Sequence, residues 1–110
     1  MIKLMIMVRR NPAMTHQEFR DHLSQKHSRL VRDCEASARY VRKYVQSYRT
    51  REQLGASDFD GAAELWFDNA QDMQLFFSDP EYLEIVRPDE ARFADLENCV
   101  FLVTEEAQII

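Results

Sequence analysis

Residues 2–31 read IKLMIMVRRNPAMTHQEFRDHLSQKHSRLV, and the change of period inside them decides the architecture. Ile2 to Val8 is dense in β-branched and long apolar residues, as a strand requires, and Asn11-Pro12 ends it as a turn. A complete helix start follows. Thr15 can cap, Glu18 stands at the third helical position for a capping box, and Met14 with Phe19 forms a hydrophobic staple. A helix is therefore expected from His16. Beyond it Phe19, Leu23, His27, Leu30, Val31 and Cys34 recur every three to four residues, one apolar stripe.

Working outward, the helical pattern runs to about Ala38, with His27 the place for a break. Period two returns from Tyr40 to Tyr48, with Tyr40, Arg42, Tyr44, Gln46 and Tyr48 on one face and Val41 and Val45 on the other. Arg49 to Phe59 is a polar loop, and Ala62 to Asp68 reads as a third strand. Asp68 or Asn69 can cap a second helix whose Ala70, Met73, Phe76 and Phe77 face inward. Asp79-Pro80 opens a further helical turn, Pro88 interrupts it, and Asp89 to Asp95 adds another. Val100 to Thr104 closes the chain as a fourth strand. The order β-α-β-β-α-β implies an α+β, ferredoxin-like single domain over residues 1–110 with an antiparallel four-stranded sheet.

The strands point beyond a monomer. A sheet with helices on one face should alternate apolar and polar residues. Strand one instead carries Ile2, Leu4, Ile6 and Val8 on one face and Met5 and Met7 on the other. Strand four sets Val100 and Leu102 against Phe101 and Val103. Unless these strands are merely rich in β-formers, both sheet faces are covered, the second by another copy of the chain. That is the dimeric α/β-barrel.

Composition limits the function. A chain of 110 residues buries roughly two thirds of its unfolded surface, enough for a real core. With 19 acidic against 14 basic residues the net charge is −5, which argues against nucleic-acid or anionic-membrane partners. An RNA-recognition module of the same strand order needs a basic aromatic third strand, and here that strand carries Glu64 and Asp68. No run reaches the ~20 apolar residues of a membrane helix, and Met1 to Arg10 lacks a small-residue cleavage site, so a cytoplasmic location is expected. Cys34 and Cys99 match no metal or redox spacing and read as small buried thiols unless they meet in space. Gly55 and Gly61 stand alone, so no phosphate loop exists, and G-x-S-x-G is absent. Neither a cofactor nor a metal is expected.

The chain resembles the EthD-domain family, within the dimeric α/β-barrel superfamily. The residues that carry the likeness are Thr15-x-x-Glu18-Phe19-x-x-His22-Leu23-x-x-x-His27-x-x-Leu30-Val31, then Arg39-Tyr40-Val41. Phe59-Asp60-Gly61-x-x-Glu64-Leu65-Trp66-Phe67 follows, with Ser78-x-Pro80-Glu81-Tyr82, Asp89-Glu90-x-Arg92-Phe93 and the closing Thr104-Glu105-Glu106. Many relatives carry an aromatic residue where Leu23 stands. The resemblance implies a homodimer with a cavity between helices and sheet. It also implies work in ether or aromatic-compound breakdown, or in cyclising, dehydrating, tautomerising or decarboxylating polyketide-like substrates. Muconolactone-type isomerases and cofactor-free monooxygenases are related barrels, so the likeness narrows the fold more than the reaction.

His27 is the leading catalytic candidate. Its stripe turns it toward the sheet, and an imidazole of pKa about 6.5 can take and return a proton at neutral pH. The bland alternative is a core histidine satisfied by a carbonyl; the family pattern favours the first. His22 is rotated about 140° from His27 on an ideal helix and should not converge with it unless the helix breaks. His16 lies roughly 16 Å from His27 along the axis, so no metal pair follows. Tyr44, in the ladder Tyr40, Tyr44 and Tyr48, either polarises a substrate oxygen or packs at the dimer face. Asp89 either orients His27 or caps the helix after Pro88, and Trp66 is either pocket wall or interface core. The expected site is thus His27 and Tyr44 as catalytic groups, with Phe19, Leu23, His22, Trp66 and Asp89 contacting a small hydrophobic or aromatic ligand. Three functions compete: a cofactor-independent proton-transfer enzyme, a cofactor-free monooxygenase, and a non-catalytic binding or accessory protein.

Overall fold

Four apolar runs pair into one antiparallel sheet in the computed structural model, which describes residues 1–110. β1 (Ile2–Val8), β2 (Val41–Tyr48), β3 (Gly61–Phe67) and β4 (Val100–Thr104) lie in the order β2-β3-β1-β4, the ferredoxin-like arrangement. The helices are α1 (His16–Asp21), α2 (Ser28–Asp33), α3 (Glu35–Tyr40), α4 (Ala70–Ser78) and α5 (Arg87–Phe93). The capping box forms: Thr15 Oγ1 accepts from the Glu18 amide at 3.1 Å, and Glu18 Oε1 accepts from the Thr15 amide at 2.9 Å. Asn69 caps α4 by accepting from the Asp72 amide at 2.8 Å.

Two helical stretches depart from the regular pattern, both by widening. His22–His27 joins α1 to α2 as a π-helix, and Tyr82–Val86 leads into α5 as another. The break expected at His27 falls instead at Cys34, whose backbone is extended (φ −72°, ψ 127°). Pro88 does not interrupt its helix but sits in the first turn of α5. Proline brings no N–H and crowds the carbonyl four residues back, and the wider turn before it absorbs that misfit.

Register fixes which residues face the helices. Leu4 opposes Leu65 and Val103, and Tyr44 opposes Leu65, so these share the helix side. There Leu4, Leu65 and Phe67 pack with Val31, Phe76, Tyr82 and Val86, while Val8, Phe19, Leu23, Phe93 and Ala94 form a second cluster. A bulge between Val41 and Lys43 sets Val41 opposite Phe67 and so on the helix side, not the other face as strict alternation implies. Tyr40 ends α3 rather than beginning the strand. Ala70, expected inside, is exposed in the first turn of α4.

The opposite face carries Met5, Met7, Val45, Val100 and Leu102 at one end. At the other end Lys3 Nζ meets Glu64 at 2.9 Å and Glu106 at 3.2 Å. Trp66 belongs to this charged end: its Nε1 donates to Glu106 at 2.7 Å, and the Lys43 ammonium lies 4.7 Å from its ring centroid. No helix is long and apolar enough to cross a membrane. Both cysteines are free thiols.

Gly61, at the start of β3, is the one glycine the packing requires. A Cβ there would stand 2.7 Å from the Ser47 carbonyl oxygen and 3.3 Å from Phe19 Cε2. Gly61→Ala is expected to destabilise the fold by about 1–3 kcal/mol, because backbone and a buried ring must both yield. Urea unfolding measures it.

Candidate active site

The site begins with the widened helix. On a regular α-helix, side chains five residues apart diverge, whereas a π-helix closes its ring from i to i+5 and brings such residues to one side. His22 and His27 are five apart, and both reach the same carboxylate on α5. His22 Nε2 lies 2.8 and 2.9 Å from the two oxygens of Asp89, and His27 Nδ1 lies 2.9 Å from Asp89 Oδ2. The expected divergence of the two histidines is overturned, and the widened turn is the reason. Arg92 adds a fourth contact, from Nη1 to Asp89 Oδ1 at 3.3 Å.

Asp89 is completely buried and caps nothing; the backbone cap of α5 is Val86. Burial works to raise its pKa, but the bonds from His22 and His27 outweigh it and hold the carboxyl below its ordinary value. A carboxylate only accepts, so His22 Nε2 and His27 Nδ1 both carry protons. Burial lowers the His27 pKa despite the opposing pull of Asp89. His27 is thus neutral at neutral pH, with its lone pair on Nε2. That nitrogen has no partner within the chain. The Phe93 ring packs edge-on at 4.7 Å from His27 and lies tilted at 5.6 Å from His22.

His27 opens into a cavity of about 520 Å³ between helices and sheet, lined almost wholly by apolar side chains such as Leu23, Val86 and Phe93. Its mouth lies toward β4, where the lining residues Phe101 and Val103 remain 56% and 49% exposed. The cavity has few polar groups. Tyr44 enters from β2, its hydroxyl accepting from Gln46 Nε2 at 2.8 Å. Gln46 is fixed in turn by the Leu23 carbonyl at 3.0 Å and the Tyr48 hydroxyl at 2.5 Å. Burial pushes the Tyr44 phenol up to about 12, so it keeps its proton as a donor. Glu90 enters from α5, with the Tyr82 hydroxyl donating to its Oε2 at 2.5 Å. Burial raises the Glu90 carboxyl above its ordinary value.

Of the residues expected at the site, His27, Tyr44 and Leu23 line the cavity together. His22 and Asp89 do not line the cavity: Asp89 bonds His27 directly, and His22 joins it only through that carboxylate. Phe19 does not line it; its ring packs 6.1 Å from that of Phe93 and against Gly61. Trp66 lies on the other sheet face, since Glu64 and Trp66 alternate with the inward Leu65. His16 pairs with Asp60 at 2.8 Å, outside the site. Sequence reading missed Glu90 and Gln46 as cavity groups. A signal existed for Glu90: Tyr82, Val86, Glu90 and Phe93 make a stripe at helical spacing with one acid inside it.

Known proteins place this arrangement. Over 115 aligned residues the chain is 28% identical to the dehydratase aurZ of Gibberella zeae, covering 94% of this chain and 75% of that protein. Its fold matches the crystal structure of an EthD family protein from Bacillus halodurans with a TM-score of 0.73 at 21% identity, over 97% of this chain and 99% of the other. A dimeric ferredoxin-like protein from Bacteroides fragilis matches with a TM-score of 0.71 at 14% identity, over 96% and 95%. Residues 11–97, which hold the histidine pair, Asp89 and most of the cavity wall, match the family model of the EthD domain, and the chain belongs to that family.

Proposed function

We propose that the chain is a cofactor-independent enzyme that removes a proton beside the carbonyl of a small apolar or aromatic compound, as the first step of a dehydration. One observation carries the reading: the His27 lone pair, oriented by Asp89, meets an apolar cavity with no partner of its own. Neutral imidazole in an apolar pocket is a competent base. Tyr44 then supplies the O–H that holds the developing enolate oxygen. The likeness to a protein named a dehydratase favours water loss over isomerisation or cyclisation, which share the first step. Oxygen consumption during turnover would instead mark a monooxygenase.

The test uses the aldol adduct of acetone and benzaldehyde as a probe β-hydroxy ketone in heavy water. Deuterium should enter its α-carbon faster with the protein than without, and His27→Gln should return the rate to background while melting as a folded protein. Exchange that persists unchanged in that variant removes His27 from the mechanism, and a wild-type rate no faster than background leaves a binding protein.

The assembly belongs to the same proposal. Leu102 and Val100 are 57% and 50% exposed on the outer sheet face, beside Met5, Met7 and Val45. Two copies paired through this face would bury it, as expected of a dimeric α/β-barrel.

A further inference from the structure

The geometry points to Glu90 as a second catalytic residue, the acid that delivers a proton to the leaving hydroxyl while His27 takes the one from carbon. This rests on the proton-abstraction reading above and goes beyond it. Losing water from a β-hydroxy ketone requires two transfers, because hydroxide leaves poorly without a proton. His27 comes to the cavity from the π-helix before α2, Glu90 from α5, and Tyr44 from the sheet, so three different elements present them to one space.

Glu90 is also poorly explained as structure. A carboxyl group offers four lone-pair positions, yet Glu90 receives one hydrogen bond, from Tyr82 to Oε2, and Oε1 has no partner within the chain. Arg87 lies one helical turn away and also borders the cavity, but makes no ion pair with it. Glu90 is half-buried in an otherwise apolar wall, and its Oε1 stays accessible, free to meet a molecule in the cavity. The groups around it are Tyr82 from the π-turn, Arg87 and Asp89 on its own helical segment, Tyr44 from β2 and Cys99 from the loop before β4. Burial is the largest influence and favours the protonated acid; the Asp89 charge acts the same way, against Tyr82 and Arg87. Glu90 thus holds its proton further toward neutral pH than a surface glutamate.

The step balances. The α C–H bond breaks, its proton goes to His27 Nε2, and the electron pair becomes the enolate held by Tyr44. The enolate pair then forms the C=C bond as the β C–O bond breaks. The departing oxygen takes the Glu90 proton and leaves as water. His27 returns its proton to solvent and Glu90 takes one up.

Glu90→Gln tests this, since its amide oxygen can still accept from Tyr82. With the same aldol adduct, formation of the enone is followed by its absorbance and α-exchange by deuterium. In E90Q, enone formation should fall about 100-fold, a typical share for one acid-base group, while exchange falls far less. The limb on which wild-type activity declines with rising pH should flatten. Parallel loss of both readouts, or full enone formation, overturns the role of Glu90. A wild-type protein that exchanges no α-proton overturns the reading beneath it, and one that exchanges without dehydrating overturns Glu90 alone.

Discussion

Replacing Asp89 by Asn should cost turnover about 10²–10⁴-fold while the protein still folds, by analogy with other carboxylates that set a histidine tautomer. The reason is donor arithmetic. Asp89 accepts from both His22 Nε2 and His27 Nδ1. Asparagine keeps one accepting oxygen and presents an NH₂ that only donates. If the oxygen stays with His22, His27 Nδ1 must accept, its proton moves to Nε2, and the cavity loses its base. Nitrogen NMR of the imidazoles reads the tautomer directly, and His27 protonated at Nδ1 in Asp89→Asn would sink the argument. Asp89→Ala goes further. It leaves buried imidazole N–H groups without acceptors and should cost about 3 kcal/mol of stability.

The same pair fixes how stability responds to acid. The folded His27 pKa is depressed, so below about pH 6.5 the unfolded chain takes up a proton that the folded chain resists. Its contribution is whole above that pH and declines as pH falls toward the folded value. Asp89, also depressed, contributes above about pH 3.9 and loses its contribution as pH falls through its folded pKa. Acid destabilisation should therefore begin near the ordinary histidine range. Urea midpoints across pH would show the upper phase, and His27→Gln should remove it.

Much of the fold was legible because its signals are local. The capping box at Thr15 and Glu18, the Asn69 cap and the two apolar β1 faces are read within a few residues. What was hidden depends on departures from regular geometry. A rotation of 100° per residue separates His22 from His27; their five-residue spacing signals convergence only once the turn is known to widen. Pro88 looked like a terminator for the same reason, since its cost is absorbed by the turn before it. Trp66 shows a different gap. Its shared parity with Glu64 is plain in sequence, but which parity faces the helices is settled by Leu65 pairing with Leu4. Val41 then changes side through a bulge that no alternation announces. At the site, His27 was visible as the polar break in an apolar stripe. Glu90 was obscured by its neighbour Asp89, roughly 100° away on the helix and facing a different environment.

The outer sheet face offers the other large effect. Leu102→Glu should weaken self-association by at least about 10³-fold, because each tenfold requires only about 1.4 kcal/mol and burying an unpaired carboxylate costs several. Two-fold symmetry places the substitution on both sides of the interface, doubling its effect. Ile85→Glu is the control: it adds the same charge at a residue 50% exposed on the helical side, and should leave association unchanged. Sedimentation over a dilution series separates the outcomes, and a wild-type monomer at micromolar concentration would dismiss the interface. The effect should also reach the cavity. In β4, Val100 and Leu102 face outward while the alternate Phe101 and Val103 line the cavity near its mouth. β4 is an edge strand paired only to β1, so an unpaired outer face leaves both its surfaces wet. Monomeric Leu102→Glu should therefore lose part of its turnover with His27, Asp89 and Glu90 all intact, through a loosened wall rather than missing chemistry.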